Sequence, residues 1–312
     1  MKVVIPGGSG QVGTILARAL HGEGQTVVVL SRRPAVQPWR VVAWDGISLG
    51  PWAEELDGAD VVINMAGRSV NCRYSTGNRE EILQSRVLST GVVGQAIAQA
   101  TRPPGVWLQA STATIYAHRF DGPNDEYSGI LGGAEPNAPS TWRFSIDVAT
   151  AWERAFDEAA TTPRTRKVAL RSAMTLSPDR GGVFDTLRWL TRRGLGGTHG
   201  DGRQFMSWVH YEDFVAAVQW LISRQDIDGV INIASPNPLP NAEFMRILRE
   251  ACGVPFGLPA NRWMLEIGAV FMRTETELIL KSRRVVPARL LDHGFRFKYL
   301  DWRAAARDLC KG

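Results

Sequence analysis

The residues with the clearest chemical potential stand near the beginning of the chain, where glycines recur at intervals of three. Gly7, Gly10 and Gly13 directly follow the apolar run 3–6 and open a helical pattern. In this context we expect Gly7 to make a tight turn, Gly10 to let the backbone approach a pyrophosphate, and Gly13 to pack the helix close to the sheet. The free N–H groups and dipole at the start of such a helix bind phosphate. The motif therefore predicts a dinucleotide site rather than a plain structural turn. The predicted contacts are Gly7, Ser9, Gly10, Gln11, Val12 and Gly13.

The end of the second predicted strand should decide which dinucleotide binds. NAD-binding proteins of this type place Asp or Glu about 20 residues after the glycines, where it holds the ribose 2′-hydroxyl. Here the strand is followed by Ser31, Arg32 and Arg33, and no carboxylate is present. A hydroxyl and two guanidinium groups suit a 2′-phosphate. NADP(H) is therefore the predicted cofactor, and the alternative is that the arginines only form a solvated loop.

Two weaker motifs follow at the ends of the third and fourth predicted strands. Asp45 comes directly after Trp44, at a point where folds of this kind contact the adenine. Asn64, Ala66 and Gly67 end the next strand, where small residues let the chain pass close to the cofactor ribose. Because the two motifs follow the glycine loop in the expected order, we predict that they complete the cofactor site.

The elements that must position these residues alternate along the first half of the chain. Short runs rich in Val and Ile, apolar on both faces, are typical of parallel strands covered by helices. Amphipathic helical patterns separate them. The sequence predicts an α/β fold, with a Rossmann-type doubly wound parallel sheet in residues 1–170. Residues 171–312 are predicted to form a smaller mixed α/β substrate lobe, interwoven with the first domain. The predicted strands are 3–6, 26–30, 40–44, 61–65, 106–110 and 167–171, with a short one at 230–233 in the second lobe. The predicted helices are 12–20, 78–100, 141–160, 182–193, 211–223, 242–252, 261–272 and 301–309.

Composition excludes several other classes of protein. The 312 residues carry 36 basic and 31 acidic side chains, and this mild, dispersed excess does not predict nucleic-acid binding. No apolar run approaches the ~18 residues of a membrane span. Three separated cysteines and five histidines without metal-ligand spacing predict neither a disulfide framework nor a metal site. We expect a cytoplasmic protein that acts on a small molecule.

Motifs spread over the whole chain resemble those of one family. The sequence is similar to the atypical extended short-chain dehydrogenases/reductases that are grouped as epimerase family proteins, of the nucleoside-diphosphate-sugar epimerase type. The resemblance implies NADP(H) binding and an extended substrate lobe, but no particular substrate. The matching motifs are the glycine loop, residues 64–67, 79–82 (REEI), 85–86, Thr90, 111–116 (STATIY), 152–153, 170–171, 194–204 (GLGGTHGDGRQ), 207–210 (SWVH), 212–213, 287–291 (PARLL) and 294–297 (GFRF).

The resemblance also exposes a gap in the catalytic residues. Short-chain dehydrogenases protonate the forming alkoxide with a Tyr whose pKa is lowered by a Lys four residues later, and they polarise the substrate oxygen with Ser or Thr. None of the five tyrosines here has Lys at that spacing. The expected positions read Phe144 and Val148 in one alignment, and Ser145 and Ala149 in another.

Other residues are candidates for the missing roles. Thr112 matches the Ser/Thr position, with Ser111 beside it on the cofactor side; alternatively, both residues only cap the strand end. Tyr116 is the nearest substitute acid, and Glu126 and Asp147 are further candidates, each with a structural alternative.

The resemblance further predicts a substrate contact and a dimer. Arg203 and Gln204 occupy a position where extended-family relatives bind substrate, and the guanidinium suits an anionic group. The helices before and after the fifth strand pair across a two-fold axis in relatives. A homodimer is predicted here through the corresponding helices, 78–100 and 141–160; the alternative is that the apolar residues of the first helix are simply core. These residues are Ile82, Val87, Val92, Val93 and Ile97.

Two interpretations of the function stay open. The first is an NADP-dependent oxidoreductase or epimerase-like enzyme of unknown substrate with a displaced proton donor. The retained Thr112 and the elaborate segment around Arg203 favour it. The second is a non-catalytic NADP(H)-binding sensor or regulatory protein, which the missing Tyr and Lys favour.

Overall fold

The computed structural model describes residues 1–135, 139–261, 264 and 277–311. The helix predicted over 261–272 falls almost wholly outside these residues. The other long helices predicted from apolar periodicity are all present, with ends that differ by at most two residues. The helices are α1 Gln11–Gly22, α2 Thr76–Gln99, α3 Ser140–Glu158, α4 Val183–Arg192, α5 Tyr211–Ser223, α6 Asn241–Ala251, α7 Glu277–Leu280, α8 Ala288–Asp292 and α9 Trp302–Lys311.

The centre of the fold is a seven-stranded sheet in which every neighbouring pair is parallel. The strand order is β10-β6-β5-β4-β1-β2-β3, so the direction of winding reverses between β1 and β4. This is the doubly wound arrangement predicted from the alternating elements, and ligands in such sheets bind at the carboxyl ends of the strands on either side of the reversal. The strands are β1 Lys2–Pro6, β2 Thr26–Ser31, β3 Arg40–Ala43, β4 Val61–Asn64, β5 Val106–Thr112, β6 Arg166–Ser172 and β10 Gly229–Ile233.

Both faces of the sheet are buried under helices. On one face, Val3, Ile5 and Leu108 pack with Leu16 of α1 and Phe214 of α5. On the other face, strand residues that alternate with these pack with side chains of α2 and α3. Because the strands are covered on both sides, they read as continuous apolar runs. The pattern that predicted a parallel sheet therefore has this physical cause.

One strand lies in a different place from the prediction. The run 230–233 was predicted to belong to the second lobe, but β10 pairs in parallel with β6 at the edge of the main sheet. Its Ile231 and Ile233 are fully buried in the core shared with α1. The chain thus returns to the first layer after residue 171, and short-range pattern gives no sign of this because pairing with β6 is a long-range contact.

The second lobe has its own apolar core and two small sheets. Its core includes Phe184, Trp208, Phe244, Trp302 and Leu309. The sheets pair β7 with β9 and β8 with β11, and these strands are β7 Met174–Leu176, β8 Phe205–Met206, β9 Trp208–His210 and β11 Leu239–Pro240. Among the described residues, no helix combines the length and apolar character that a membrane span requires.

The apolar residues proposed as a dimer surface lie mostly inside the chain. Ile82, Val92, Val93 and Ile97 are each at most 3% exposed, and α2 packs against α3. They stabilise the monomer core, so the excess apolar surface on which the dimer prediction rested is accounted for within one chain. The dimer itself stays a prediction.

Candidate functional site

The glycine loop is packed tightly against the turn that follows β4. Gly7 has a φ of +71°, and a Cβ at that position would lie 2.5 Å from the Ala66 Cα atom. Only glycine fits both the left-handed backbone and the close approach. Gly10 is different, because the nearest atom to a Cβ there would be the Gly7 carbonyl oxygen at 3.6 Å. The backbone is therefore open at Gly10, where a phosphate was expected.

The third glycine of the motif packs against the loop itself. A Cβ on Gly13 would lie 2.6 Å from the Gly8 Cα atom, so α1 is pressed onto the loop. The prediction placed this contact with the sheet. The neighbouring Gln11 and Val12 begin α1, and the first N–H groups of a helix have no partner within the helix. The Gln11 side chain is engaged elsewhere, since its Nε2 donates to the Ser177 Oγ at 3.4 Å.

The end of β2 lies beside the glycine loop. The Ser31 hydroxyl donates to the Ser9 Oγ at 3.1 Å and accepts from the Arg33 N–H at 3.2 Å. Ser31 is buried, whereas the side chains of Arg32 and Arg33 are exposed. The two serines therefore fix the distance between the loop and the strand end, and the two guanidinium groups stay free to turn toward a bound anion.

Asp45 has a local structural role in addition to its place at the end of β3. Its carboxylate accepts the N–H groups of Ile47 and Ser48 and a bond from the Ser48 hydroxyl. These hydrogen bonds, of which that with the Ser48 side chain is the strongest, lower the pKa of Asp45 to about 2. The side chain is therefore an anion that shapes the loop 45–48 beside the site.

Asn64 holds the turn that carries Ala66 and Gly67. It is fully buried, its Nδ2 donates to the Gln109 Oε1 at 3.0 Å, and its Oδ1 accepts the Ala66 N–H at 3.1 Å. Asn64 thus shapes the backbone of the turn beside the predicted cofactor site. A Cβ on Gly67 would lie 3.3 Å from the Arg86 guanidinium carbon, so α2 closes on this turn.

These elements enclose a cavity of about 1090 Å³ at the carboxyl end of the sheet. It is large enough for a dinucleotide, since ligand sites usually measure about 300–1,000 Å³. Nine of the predicted cofactor residues line it, namely Gly7, Ser9, Gly10, Ser31, Arg32, Arg33, Asp45, Ala66 and Gly67. The predicted residues Gln11, Val12, Gly13, Asn64 and Ser111 do not line it. Sequence reasoning missed the wall formed by α2, whose lining residues Glu81, Gln84, Ser85, Leu88 and Ser89 recur at helical spacing.

Ser111 and Tyr116 belong to a buried polar network instead. The Ser111 hydroxyl donates to Glu153 at 2.5 Å, and Glu153 forms a two-point ion pair with Arg171. The Tyr116 hydroxyl accepts from the Arg171 Nη1 at 3.0 Å and donates to the Asn232 Oδ1 at 2.9 Å. Tyr116 is 2% exposed, and burial raises its pKa. The structure does not bring this hydroxyl to the cavity.

The other candidates for acid and polarising group also have structural contacts. The Thr112 Oγ1 accepts the Thr114 N–H at 3.1 Å, which is the capping alternative, although the side chain keeps some exposure. The Glu126 carboxylate accepts the N–H groups of Asn232 and Arg289, and Asp147 is exposed on α3. Glu126 therefore ties the loop after β5 to β10 and α8.

The positions that carry Tyr and Lys in ordinary short-chain dehydrogenases are occupied by packing residues. Phe144 contacts the Tyr74 ring with centroids 5.1 Å apart, and Ser145 donates to Glu277 at 2.5 Å. Val148 and Ala149 are buried. Neither predicted alignment supplies a proton donor paired with an ammonium group.

A buried ammonium group from the C-terminal part of the chain reaches the end of β5. Lys281 is fully buried, and its Nζ donates to the Thr114 carbonyl at 2.8 Å. Burial, with the nearby charge of Arg283, lowers the Lys281 pKa to about 8. The next residue, Ser282, donates its N–H to the His118 Nδ1 at 2.7 Å. No spacing rule linked these residues to the site, because more than 160 residues separate the partners.

The two predicted substrate residues have different environments. Arg203 is exposed, and its guanidinium lies 5.8 Å from the Phe120 ring centroid. Gln204 is 3% exposed and donates to the carbonyls of His199 and Ile279. Arg203 is thus available to a ligand, while Gln204 holds neighbouring backbone. Among the described residues, no cluster of three metal-ligating side chains occurs.

Fold and site together define the class of protein. Residues 3–234 match the family described as "NAD dependent epimerase/dehydratase family", and residues 262–309 match a domain of unknown function, DUF1731. The chain belongs to the NAD-dependent epimerase/dehydratase family. The resemblance and the fold class predicted from sequence are confirmed, and the family's description agrees with the predicted nicotinamide cofactor.

Particular relatives match the chain from end to end. It is 31% identical to the epimerase family protein SDR39U1 of Mus musculus over 99% of both chains. A crystal structure of the human epimerase family protein SDR39U1 with NADPH superposes with a TM-score of 0.86 at 28% identity, covering 100% of this chain and 99% of that one. A nucleoside-diphosphate sugar epimerase from Corynebacterium glutamicum gives a TM-score of 0.75 at 29% identity, with 100% of this chain covering 58% of that chain.

Proposed function

We propose that the protein binds NADP(H) and is an oxidoreductase or epimerase-like enzyme for a small substrate that is not yet known. One observation carries the cofactor part of this proposal. The cavity joins the glycine loop to Ser31, Arg32 and Arg33, with no carboxylate at the end of β2. A carboxylate there would repel a 2′-phosphate, whereas a hydroxyl and two guanidinium groups attract it. The similar human protein crystallised with NADPH supports the same choice.

The parts of the cavity suit the parts of the cofactor. The N-terminus of α1 and the open backbone at Gly10 would hold the pyrophosphate. Ser31 with the two arginines would hold the 2′-phosphate, and the loop at Asp45 together with the turn at Ala66 would hold the adenosine. When bound, NADP(H) supplies or accepts a hydride. The remaining chemistry, which is to position the substrate and move a proton, falls to the chain's own residues.

Comparison of cofactor affinities tests the proposal. NADPH should bind more tightly than NADH, because losing a charge-assisted contact costs about 1.5–3 kcal/mol, or roughly 10- to 150-fold in affinity. Replacing Arg32 and Arg33 together with Ala should remove most of the difference while NADH affinity changes little. Calorimetric titration of both cofactors into both proteins measures this.

Arg102→Ala is the matched control for that double variant. Its side chain is 79% exposed and lies at the amino edge of the sheet, where it neighbours Asp57. The substitution removes a positive charge outside the cavity, so the preference for NADPH over NADH should persist. Equal affinity of the native protein for NADPH and NADH would contradict the assignment.

The second part of the proposal concerns the substrate contacts and the proton donor. Thr112 is retained near the end of β5, and Arg203 is exposed and suits an anionic substrate group. We propose that both contact the substrate, with Gln204 supporting the backbone beside Arg203. Tyr116 stays the first donor to test, although its hydroxyl lies between Arg171 and Asn232.

The Tyr116 hydroxyl is already hydrogen-bonded to Arg171 and Asn232, which favours a second function, that of a non-catalytic NADP(H)-binding sensor. A panel of sugar nucleotides and simple carbonyls separates the two. Turnover that is lost in Thr112→Val and in Arg203→Ala, with NADPH affinity preserved, would support the enzyme. Tight NADPH binding without turnover of any compound would support the sensor.

A further inference from the structure

Two thiols that lie far apart in sequence meet in the second lobe. Cys252 follows the last turn of α6, and Cys310 lies in the last turn of α9, 58 positions later. Their sulfur atoms are 3.2 Å apart, and both side chains are half-buried. Each thiol is therefore within contact of the other and within reach of a small solute.

The packing of two helices holds the thiols in this position. At the start of α6 and α9, the rings of Phe244 and Trp302 stack with centroids 4.1 Å apart, and the Trp302 Nε1 donates to the Phe244 carbonyl at 3.0 Å. Cys252 lies eight residues after Phe244, and Cys310 lies eight residues after Trp302. The helices therefore run in the same direction in register, anchored at one end by the rings and meeting at the other end through the thiols.

The surroundings of Cys252 favour its thiolate. Either thiol can donate the hydrogen bond between them; when Cys310 donates, the bond lowers the pKa of Cys252 despite partial burial, and the guanidinium groups of Arg192 and Arg188 on α4 act in the same direction. The same contact raises the pKa of Cys310. One of the two thiols is thus prepared as a nucleophile, and the other carries the shared proton.

We propose that Cys252 and Cys310 form a redox-active dithiol that a hydroperoxide converts to an intramolecular disulfide. The Cys252 thiolate attacks the peroxide oxygen, the O–O bond breaks, and the leaving oxygen takes a proton and departs as an alcohol or water. The resulting sulfenic acid is attacked by the Cys310 sulfur, the S–O bond breaks, and water leaves as the S–S bond forms. The two thiols lose two electrons and two protons, and the peroxide is reduced.

Only a small movement is needed for the second step. A disulfide bond is about 2.05 Å long, so the sulfurs must approach by roughly 1.2 Å from their 3.2 Å contact. Side-chain rotation at the helix ends can supply this without separating the ring pair at the other ends. Within the described residues no third metal-ligating group joins the two cysteines, so a thiol pair, and not a zinc site, is the chemistry that the cluster supports.

The third cysteine provides an internal control. The Cys72 thiol lies near the Ser69 carbonyl at 3.8 Å, and neither of the other cysteines is beside it. It is half-buried like the other two, so a difference in reactivity cannot arise from exposure alone.

Mass spectrometry on the full chain tests the proposal. Reduced protein is treated with one equivalent of hydrogen peroxide, alkylated, and measured intact and after digestion. We expect the loss of two hydrogen atoms, one remaining alkylation site at Cys72, and a linked peptide pair containing Cys252 and Cys310. A thiol reductant should restore all three alkylation sites. The free thiols of Cys252 and Cys310 should be lost at least ~10-fold faster than the free thiol of Cys72.

Two conservative variants make the result decisive. Cys72→Ser should form the disulfide at the native rate, whereas Cys310→Ser should stop at a sulfenic acid on Cys252 that a dimedone probe traps. Oxidation confined to Cys72, disulfides only between molecules, or three alkylatable thiols after peroxide treatment would each overturn the proposal.

Discussion

The end of the molecule that holds the proposed cofactor cavity and the end where Tyr116 lies are built in opposite ways. The glycine loop, the end of β2 and the turn after β4 come from the first 67 residues, and short backbone contacts hold them together. The network of Ser111, Tyr116, Glu153, Arg171 and Asn232 is drawn from β5, α3, β6, β10 and the loop after β5, and its hydrogen bonds join residues up to 116 positions apart. The first arrangement leaves an open cavity, whereas in the second the polar side chains are buried and hydrogen-bond to one another.

This difference separates two kinds of polar residue that look alike in sequence. At the first end, Ser31 and Asp45 line the cavity, and the side chains of Arg32 and Arg33, which also line it, are exposed. At the other end, the buried groups satisfy each other: Arg171 meets Glu153 and Tyr116, and Tyr116 meets Asn232. A motif of matching residue types therefore identifies a binding site only when its side chains stay free.

The largest loss of stability should come from breaking the buried ion pair between Arg171 and Glu153. Arg171→Met leaves the Glu153 carboxylate, only 12% exposed, without its cation. Removing one partner of a buried pair costs about 3–5 kcal/mol, so the free energy of unfolding in urea should fall by that amount. NADPH affinity, measured where the variant is still folded, should stay close to native.

An exposed pair supplies the matched control. Arg18 and Asp179 lie 3.2 Å apart with side chains 58% and 31% exposed, so Arg18→Met should cost less than about 1 kcal/mol. If the two variants lose the same stability, the network is not the buried support that distinguishes this end of the molecule.

Two glycines of the same loop should behave differently. Gly7→Ala meets both a left-handed backbone and the Ala66 Cα atom at 2.5 Å, and should cost about 2–4 kcal/mol of stability. Gly10→Ala has room for its Cβ and a φ of −72°, so the free energy of unfolding should be unchanged. It should nevertheless weaken NADPH binding at least ~10-fold, because the methyl group occupies space that a pyrophosphate needs.

Thermal unfolding and cofactor titration of both variants separate the two roles. Equal melting temperatures for Gly7→Ala and the native protein would show that the loop can move away from Ala66. Native NADPH affinity in Gly10→Ala would show that the pyrophosphate lies elsewhere.

The sequence predicted the doubly wound sheet because hydrophobic period and glycine spacing are local properties. The positions of Ser31, Arg32 and Arg33 followed from the same local order, and they line the cavity. The strand at 230–233 was predicted, but its place at the edge of the main sheet was not, because that place depends on pairing with β6. The contacts of Tyr116 were not predicted either, since they depend on Asn232, far along the chain. Lys281 was missed for the same reason.

Removal of the Tyr116 hydroxyl separates a structural role of this residue from a catalytic one. Tyr116→Phe keeps the ring and removes the hydroxyl that bonds to Asn232 and Arg171, so about 2 kcal/mol of stability should be lost. If the residue is only structural, any turnover should persist with an unchanged KM. A roughly hundredfold fall in kcat with native NADPH affinity would instead mark a displaced acid and remove the contrast between the two ends.

The smallest effect concerns His210, which connects β9 to α5 in the second lobe. The ring is fully buried and lies tilted against Tyr299 with centroids 3.8 Å apart, and its Nδ1 accepts the Glu212 N–H. Burial lowers its pKa to about 4, although the Asp308 carboxylate 3.3 Å from Nε2 acts in the opposite direction. Above pH 6.5 the ring is neutral in both the folded and the unfolded states. As the pH falls from 6.5 toward 4, the unfolded chain takes up a proton that the folded chain refuses, so stability is lost across this window.

At pH 5.5 the loss assigned to His210 is about 1.4 kcal/mol relative to pH 7.5. His210→Asn retains a side chain that can cap α5 but cannot titrate, so the difference in unfolding free energy between pH 7.5 and pH 5.5 should be smaller by that amount. His21→Asn, at an exposed histidine of α1, should leave the difference unchanged. If His210→Asn and the native protein lose the same stability on acidification, then the Asp308 carboxylate keeps the His210 pKa near its ordinary value. His210 would then behave like an ion-paired residue, as Glu153 and Arg171 do, and not like a residue of the apolar core of the second lobe.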